Sequence, residues 1–452
     1  MNSLDPGVRV HIVGVGGAGM SGLARLLVEM GCDVSGSDTT DSAVLVSLRG
    51  AGVVVYVGHD ASHGSNAQVV VWSPAVSDSN VELVTARSRD ASLLTRAHVL
   101  ALLAQRQPVI GLTGTHGKTT ATSMMVHVLH ATGRDDSRLL GAPVTGVGEN
   151  GHFGGESLVL EVDESFGTFS LLAPFALGLL NVEPDHLDHY GSVESLEEEF
   201  AHLLARATGP VVVWGDDPGA ARVAQRSGRD VQLVGTHDAA WIVDNVSLAR
   251  RSASFTLTGP SGPLQLTLGV TGAHNVANAA VVAALAFRLD VAPEAIVTGL
   301  QDFAGAPRRF EYLGQWRGVD VYEDYAHLPG EIAATLAATR SIGYERVTVV
   351  FQPHRVTRTL NLAPELAEAL EGADNIVITD IYASGEANPT GATGELVARH
   401  VHTRRGATSA YAATFDDVVD LLESRHDQSD VVLLLGAGDI AQVAQRLSGG
   451  LD

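Results

Sequence analysis

A lysine and a threonine behind a run of glycines have the most definite chemistry in this chain. Gly114-Thr115-His116-Gly117-Lys118-Thr119-Thr120 is entered by the apolar run Val109-Ile110-Gly111-Leu112 and left by a helical stretch, Ala121 to Leu129. A strand, a glycine turn and a helix start leave backbone N–H groups free to surround an anion, and the helix dipole adds to the attraction. Lys118 then reaches the β- and γ-phosphates of a nucleoside triphosphate, and the Thr119 hydroxyl meets its Mg2+ (or Mn2+). Leu112 stands where the common spelling of a phosphate loop has its first glycine, so this is a variant form. ATP is the expected ligand.

Two further apolar runs end in acids and imidazoles. Glu161, Asp163 and Glu164 close the run Ser157 to Val162, and Asn181 to Tyr190, with His186, follows Ala176 to Leu180. Strands ending near one point gather Lys118, Thr119, Glu161 and His186, a carboxylate and an imidazole suited to a divalent cation beside a triphosphate. The plainer alternative makes Glu161 and Glu164 a solvated strand end and His186 a helix-capping partner. A second glycine set, Gly14-Val15-Gly16-Gly17-Ala18-Gly19, follows the strand Val8 to Val13 and precedes a helical stretch, Met20 to Met30. With Gly16 and Gly19 in the turn and Asp38 just past the next strand, it makes a G-x-G-x-x-G dinucleotide fingerprint. Read alone it says NAD dehydrogenase, which leaves the Lys118 site unexplained. His59, Ser73 and Arg96 follow the strands Val53 to Val57, Val69 to Trp72 and Ser92 to Thr95, and strand ends line the ligand crevice of an α/β sheet. Each alone also suits an ordinary loop. Past Val347 to Phe351, His354, Arg355 and Arg358 suit a substrate carboxylate, which fits the planar Arg fork.

Strands alternating with helices position these groups, so the fold class is α/β in three segments, residues 1–107, 108–305 and 306–452. Polar Gln105 to Pro108 is the first junction, and short strands between Trp241 and Val270 predict a small antiparallel insertion in the central segment. Gly141 to Gly155 reads as a mobile loop. With 29 Lys+Arg against 52 Asp+Glu, the formal charge of -23 opposes nonspecific binding to nucleic acid or anionic membranes. The expected partners are small molecules. A single cysteine, Cys32, excludes an internal disulfide and a cysteine zinc site and fits a reducing compartment. Without a signal-type segment or a membrane-length apolar run, the chain reads as soluble and cytoplasmic, with no membrane insertion. A monomer or weak homodimer is expected.

Gly114 to Thr120, Glu161-x-Asp163-Glu164-Ser165, Asn181-x-Glu183-x-Asp185-His186-Leu187-Asp188, His274-Asn275-x-x-Asn278 and Phe351 to Arg355 resemble the Mur ligases in order and spacing. Gly14 to Gly22 resembles the family's alanine-adding branch. The resemblance implies a Rossmann-like N-terminal domain for the uridine diphosphate part of a substrate. It implies a central P-loop ATPase-like domain and a mobile, Rossmann-like C-terminal domain that closes on them. The implied reaction joins L-alanine to the carboxylate of UDP-N-acetylmuramate through an acyl phosphate, a step of peptidoglycan synthesis and so of cell wall biogenesis. By the same resemblance Lys118, Glu161, His186 and Arg309 are catalytic, and Thr119, Glu161 and His186 hold the metal. Asn275 reads adenine, Arg309 and Asp324 close on the nucleotide, and His327 approaches its phosphates. His354, Arg355 and Arg358 orient the amino acid, while Ser37, Asp38, His59, Ser73 and Arg96 contact UDP. Four positions depart from the family pattern, namely Phe166, Glu323, Leu328 and Val356, and Gly141-Ala142 replaces a double glycine. They leave open a relative that takes another amine or UDP-sugar acid, in murein peptide recycling or secondary metabolism. A nucleotide-binding regulator that no longer ligates is the third alternative.

Overall fold

The computed structural model describes residues 4–73, 76–89, 91–164, 168–184, 190–405, 409–447 and 450–451. Three sheets carry the architecture. In the first, β1 (Arg9–Val13), β2 (Asp33–Asp38), β3 (Val54–Val57), β4 (Val69–Trp72) and β5 (Ser92–Thr95) lie in the order β3-β2-β1-β4-β5, with every pairing parallel. Both faces of β1 are covered, so Val10, Ile12 and Val13 are all buried, as a parallel strand between helix layers requires. The strand order reverses between β1 and β4, and there the C-terminal ends open a crevice. Ser37 and Asp38 are the last residues of β2 rather than the first beyond it.

The second sheet is built on β6 (Val109–Thr113), β9 (Leu158–Glu161) and β10 (Ala176–Leu179), with β6 in the middle and both pairings parallel. On the β9 side follow β7 (Ser137–Leu139) and β8 (Gly151–His152). On the β10 side follow β11 (Val211–Trp214), β12 (Gln232–Gly235), β13 (Trp241–Leu248), β14 (Ala253–Gly259) and β15 (Gly262–Leu268). The expected antiparallel insertion is present as the β14–β15 hairpin. It does not stand apart, because β13 pairs in parallel with β12 and carries the hairpin as an extension of the main sheet.

The first two sheets belong to one compact unit. A single apolar core runs from Leu4 and Ile12 through Val109 to Phe200 and Val213. The stretch from Gly141 to Gly155, expected as a loop, is part of this joint. A Cβ at Gly151 would lie 1.8 Å from the Gly22 carbonyl oxygen, so the helix Ala18–Glu29 and β8 touch backbone to backbone only because both positions are glycine. Asn150 Nδ2 donates to the Ala18 carbonyl at 2.9 Å and seals the contact.

The second unit comprises Pro307–Asp452 with Leu248–Ser252 and Thr271–Ala273. Its sheet runs β16-β17-β21-β18-β19-β20, from β16 (Glu311–Trp316), β17 (Val319–Asp324), β18 (Val347–Phe351), β19 (Asn375–Ile378), β20 (Ser409–Tyr411) and β21 (Val431–Leu435). Only the β16–β17 edge pair is antiparallel. Every residue of β18 and β21 is buried. Among the described residues no helix is long and apolar enough to cross a membrane.

Candidate active site

The glycine turn expected to bind phosphate lies between β6 and the helix Lys118–His130, and its shape depends on Gly117. That residue caps the helix Lys118–His130 with φ +80°, a conformation L side chains rarely adopt, and a Cβ there would lie 2.8 Å from Asn278 Oδ1. The loop is braced from the end of β10. Asn181 Oδ1 accepts the His116 N–H at 2.8 Å, Asn181 Nδ2 donates to the His116 carbonyl, and the Thr115 hydroxyl accepts the Glu183 N–H at 2.9 Å. Lys118 Nζ donates to the Gly114 and Thr115 carbonyls at 2.8 and 3.0 Å, and to both oxygens of buried Glu164 at 3.1 and 2.8 Å. Burial alone would lower the lysine's proton affinity. The Glu164, Asp163 and Glu161 carboxylates outweigh it and hold the ammonium above its ordinary value.

One residue on, the Thr119 hydroxyl donates to Glu161 Oε1 at 3.0 Å, and Glu161 Oε2 accepts the Gly141 N–H at 2.7 Å. Two hard oxygen donors are thus side by side at the start of the helix, a pair that fits Mg2+. His186 and Phe166 lie outside the described residues. Thr120 and Asn275 are buried on the helices Lys118–His130 and Ala273–Arg288. Residue patterning did not single out Asn181, Glu164 or Asn278 as parts of this site, although each sits inside a motif that the sequence displays.

The crevice of the first sheet collects the other glycine turn. Asp38 Oδ2 accepts the Gly16 N–H at 2.9 Å, so the carboxylate at the expected ribose position also pins the turn. Arg96 lies over Gly19, with its Nε 3.0 Å from where a Cβ would be, and among the described residues that buried Nε has no hydrogen-bond partner. A guanidinium beside a helix start is ready for an anion. Ser73 follows β4 beside Gly14. His59 follows β3 and is 20% exposed. Ser37 differs from expectation: it is 0% exposed, and its hydroxyl donates inward to Glu82 at 2.6 Å, so its side chain supports the crevice instead of lining it.

In the second unit the ends of β17 and β18 bring a basic group together. Arg355 holds φ +68° at the start of the helix Val356–Ala369, and its N–H donates to the Tyr382 carbonyl at 2.9 Å. Arg358 Nη1 lies 3.3 Å from His354 Nδ1, and the His327 and His354 rings meet edge to face at 5.6 Å. Burial, then the charges of His327, Arg358 and Arg355, push His354 down to about 4, so it is a neutral imidazole at pH 7. Tyr382, missed by the sequence reading, stacks on His354 at 5.8 Å. Arg308 and Arg309 both lie 4.9 Å from the Tyr325 ring centroid. Asp324 accepts the Phe310 and Ala326 N–H groups, and burial raises it to about 6 against the pull of Arg309. Two of the departing residues are structural: Glu323 is buried and paired with Arg308 at 2.7 Å, and Val356 is buried in the helix start.

Comparisons with known proteins agree on one family along the chain. Residues 9–108 match the Mur ligase family catalytic domain, residues 112–286 the Mur ligase middle domain, and residues 308–438 the Mur ligase glutamate ligase domain. A UDP-N-acetylmuramate–L-alanine ligase of Thermobifida fusca is 41% identical, over 97% of this chain and 96% of that protein. One from Renibacterium salmoninarum is 39% identical, over 98% and 96%. Among solved structures, the UDP-N-acetylmuramate–alanine ligase of Thermotoga maritima has a TM-score of 0.82 at 28% identity, covering 97% of this chain and 98% of that one. A murein peptide ligase of Psychrobacter arcticus, at 23% identity and TM-score 0.71, shares the fold over 98% of both chains. The chain belongs to the Mur ligase family.

Proposed function

We propose that this chain is an ATP-dependent ligase joining the amine of L-alanine to the carboxylate of UDP-N-acetylmuramate. The observation that carries the reading is the braced phosphate loop with Lys118 at its centre, in a chain 41% identical to a ligase of that name. Residues 1–107 take the uridine diphosphate part, residues 108–305 take ATP, and residues 306–452 take the amino acid.

A carboxylate is a poor acylating agent, so the γ-phosphoryl group of ATP passes to it first, giving an acyl phosphate and ADP. The amine then attacks the acyl carbon, and the tetrahedral adduct loses phosphate and a proton to leave the amide. Lys118 steadies the phosphate oxygens during transfer, with Arg309 contributing from the second unit. Thr119 and Glu161, with His186, are the residues to hold Mg2+, which when bound draws charge from the phosphate oxygens. Asn275 contacts the adenine, and Asp324 and His327 support the nucleotide end. Arg355 and Arg358 clamp the alanine carboxylate. Neutral His354 beside them is a ready acceptor for the proton that the amine gives up. Gly16, Gly19 and Arg96 take the diphosphate, and Asp38, His59 and Ser73 the uridine.

Phosphate release from ATP tests the reading, measured with UDP-N-acetylmuramate and a panel of amino acids. Release that depends on L-alanine is expected. Release with another amine but not L-alanine transfers the chain to a different substrate, and no release under any condition removes the ligase reading.

A further inference from the structure

Behind the ends of β2 and β3 lies a polar cluster that the ligation chemistry leaves unused. Glu82, in the first turn of the helix Val81–Arg87, is 3% exposed and ringed by donors. Its Oε2 accepts the Ser37 hydroxyl at 2.6 Å and lies 3.3 Å from His59 Nδ1 and 3.4 Å from His11 Nε2. Its Oε1 lies 3.0 Å from His63 Nδ1 and accepts the Asp60 N–H at 3.3 Å. Among the described residues no three His, Cys, Asp or Glu are placed to hold a metal ion, so this is a hydrogen-bonded network.

An ionised carboxylate only accepts hydrogen bonds. Burial favours the neutral acid, yet the hydrogen bonds of His11 and Ser37 outweigh it and hold Glu82 down to about 2. The ring nitrogens bonded to it, Nδ1 of His63 and Nε2 of His11, must therefore carry hydrogen. Ser37 gives its one proton to Glu82, so its oxygen, 3.2 Å from His59 Nδ1, can only accept, and that nitrogen carries hydrogen as well. The remaining nitrogen of His11 then accepts from the Ser35 hydroxyl, 2.9 Å away, which agrees with that tautomer. On a neutral His59 ring the remaining nitrogen, Nε2, carries no hydrogen, and the side chain is 20% exposed. Filling a core would take an apolar side chain at less cost in desolvation. Here instead the donors come from the end of β2 and the loop after β3, which border the crevice, together with His11 of β1.

We propose that Glu82 is a positioning residue for the uridine part of the substrate: by ordering the Ser37 hydroxyl, and through it the ring and tautomer of His59, it presents a bare imidazole nitrogen to an N–H or hydroxyl donor of the ligand. A uracil imide N–H and the ribose hydroxyls are such donors. The inference rests on the assignment of the first sheet to the UDP moiety.

Calorimetric titration of the full chain with UDP, and separately with a non-hydrolysable ATP analogue, tests it in wild type and Glu82→Gln. Glutamine keeps the shape but turns one acceptor into a donor facing a ring N–H. UDP affinity should fall about tenfold, the equivalent of one net hydrogen bond, with the ATP analogue bound within about twofold of wild type. Unchanged UDP affinity in the variant overturns the proposal, as does an equal loss of both ligands. A wild-type chain that ignores UDP removes the underlying assignment and the proposal together. Should the variant not fold, nitrogen-15 imidazole spectra of the wild type decide, with His59 assigned through His59→Gln. The Nδ1–H form, with an Nε2 resonance that moves on adding UDP, is expected; an Nε2–H form, or an unmoved resonance, refutes it.

Discussion

Acid should loosen the first sheet through Glu82, by an amount that follows from its surroundings. Its carboxyl stands at about 2 in the folded chain against 4.5 for the free group. Because the folded value is the lower one, the stabilisation is fully present above the unfolded value and fades as pH falls toward the folded one. Each tenfold change in proton affinity is about 1.4 kcal/mol, so the whole contribution is about 3 kcal/mol at neutral pH. Near pH 3 the same linkage leaves about 1.4 kcal/mol. Glu82→Gln abolishes the titration and leaves the rings of His11, His59 and His63 facing an amide. Wild type and variant should thus differ by about 3 kcal/mol at neutral pH, and by less than half of that near pH 3. Hydrogen exchange resolved by peptide measures this, comparing β1 and β2 with β18 and β21 as an internal control, because a chain of two units has no single unfolding free energy. Equal protection of β1 and β2 at neutral pH, or a gap that stays constant on acidification, refutes the reasoning.

Lys118→Ala should cut turnover by about a thousandfold, the scale for a lost transition-state charge donor, while UDP binds as in wild type; loss of UDP binding in a folded variant contradicts the separation of the two sites. That substitution also strands buried Glu164, so Lys118→Met with Glu164→Gln is the better-behaved comparison by thermal melt. Gly117→Ala meets both a positive φ and the Asn278 amide, and should weaken ATP binding at least tenfold and cost about 1–3 kcal/mol of stability. An ATP titration that matches wild type counts against the loop geometry. Asp324 is raised to about 6 from 3.8, so its favourable contribution is present below the unfolded value and lost as pH rises through about 6. Protection of the β17 amides, taken against the intrinsic exchange rate at each pH, should accordingly fall across that window in wild type and stay flat in Asp324→Asn.

What could be read from sequence was whatever depends on the chain next door. A buried parallel strand is an apolar run, its end is the first polar residue, and in an α/β sheet that end faces the ligand. That logic singled out the turn before Lys118, Glu161, His59, Arg96, and the group His354, Arg355 and Arg358, each of which lies at or just past a strand end. It failed wherever a partner comes from far along the chain. Glu82 meets Ser37 across 45 positions, and in sequence an acid in a first helical turn is only a dipole complement. Gly151 is unremarkable until β8 crosses the helix Ala18–Glu29, and then neither it nor Gly22 has room for a side chain. The departures separate on the same principle. Glu323, which from the family pattern suggested a changed substrate, instead answers Arg308 within its own unit. Arg308 in turn donates to the Gly436 and Gly438 carbonyls, so the longer acid keeps a local frame closed. Tyr325, against which both Arg308 and Arg309 pack, is held by that frame, its N–H donating to the Arg308 carbonyl at 2.8 Å. A change at position 323 therefore acts first on the placement of Arg308, and through Tyr325 on that of Arg309.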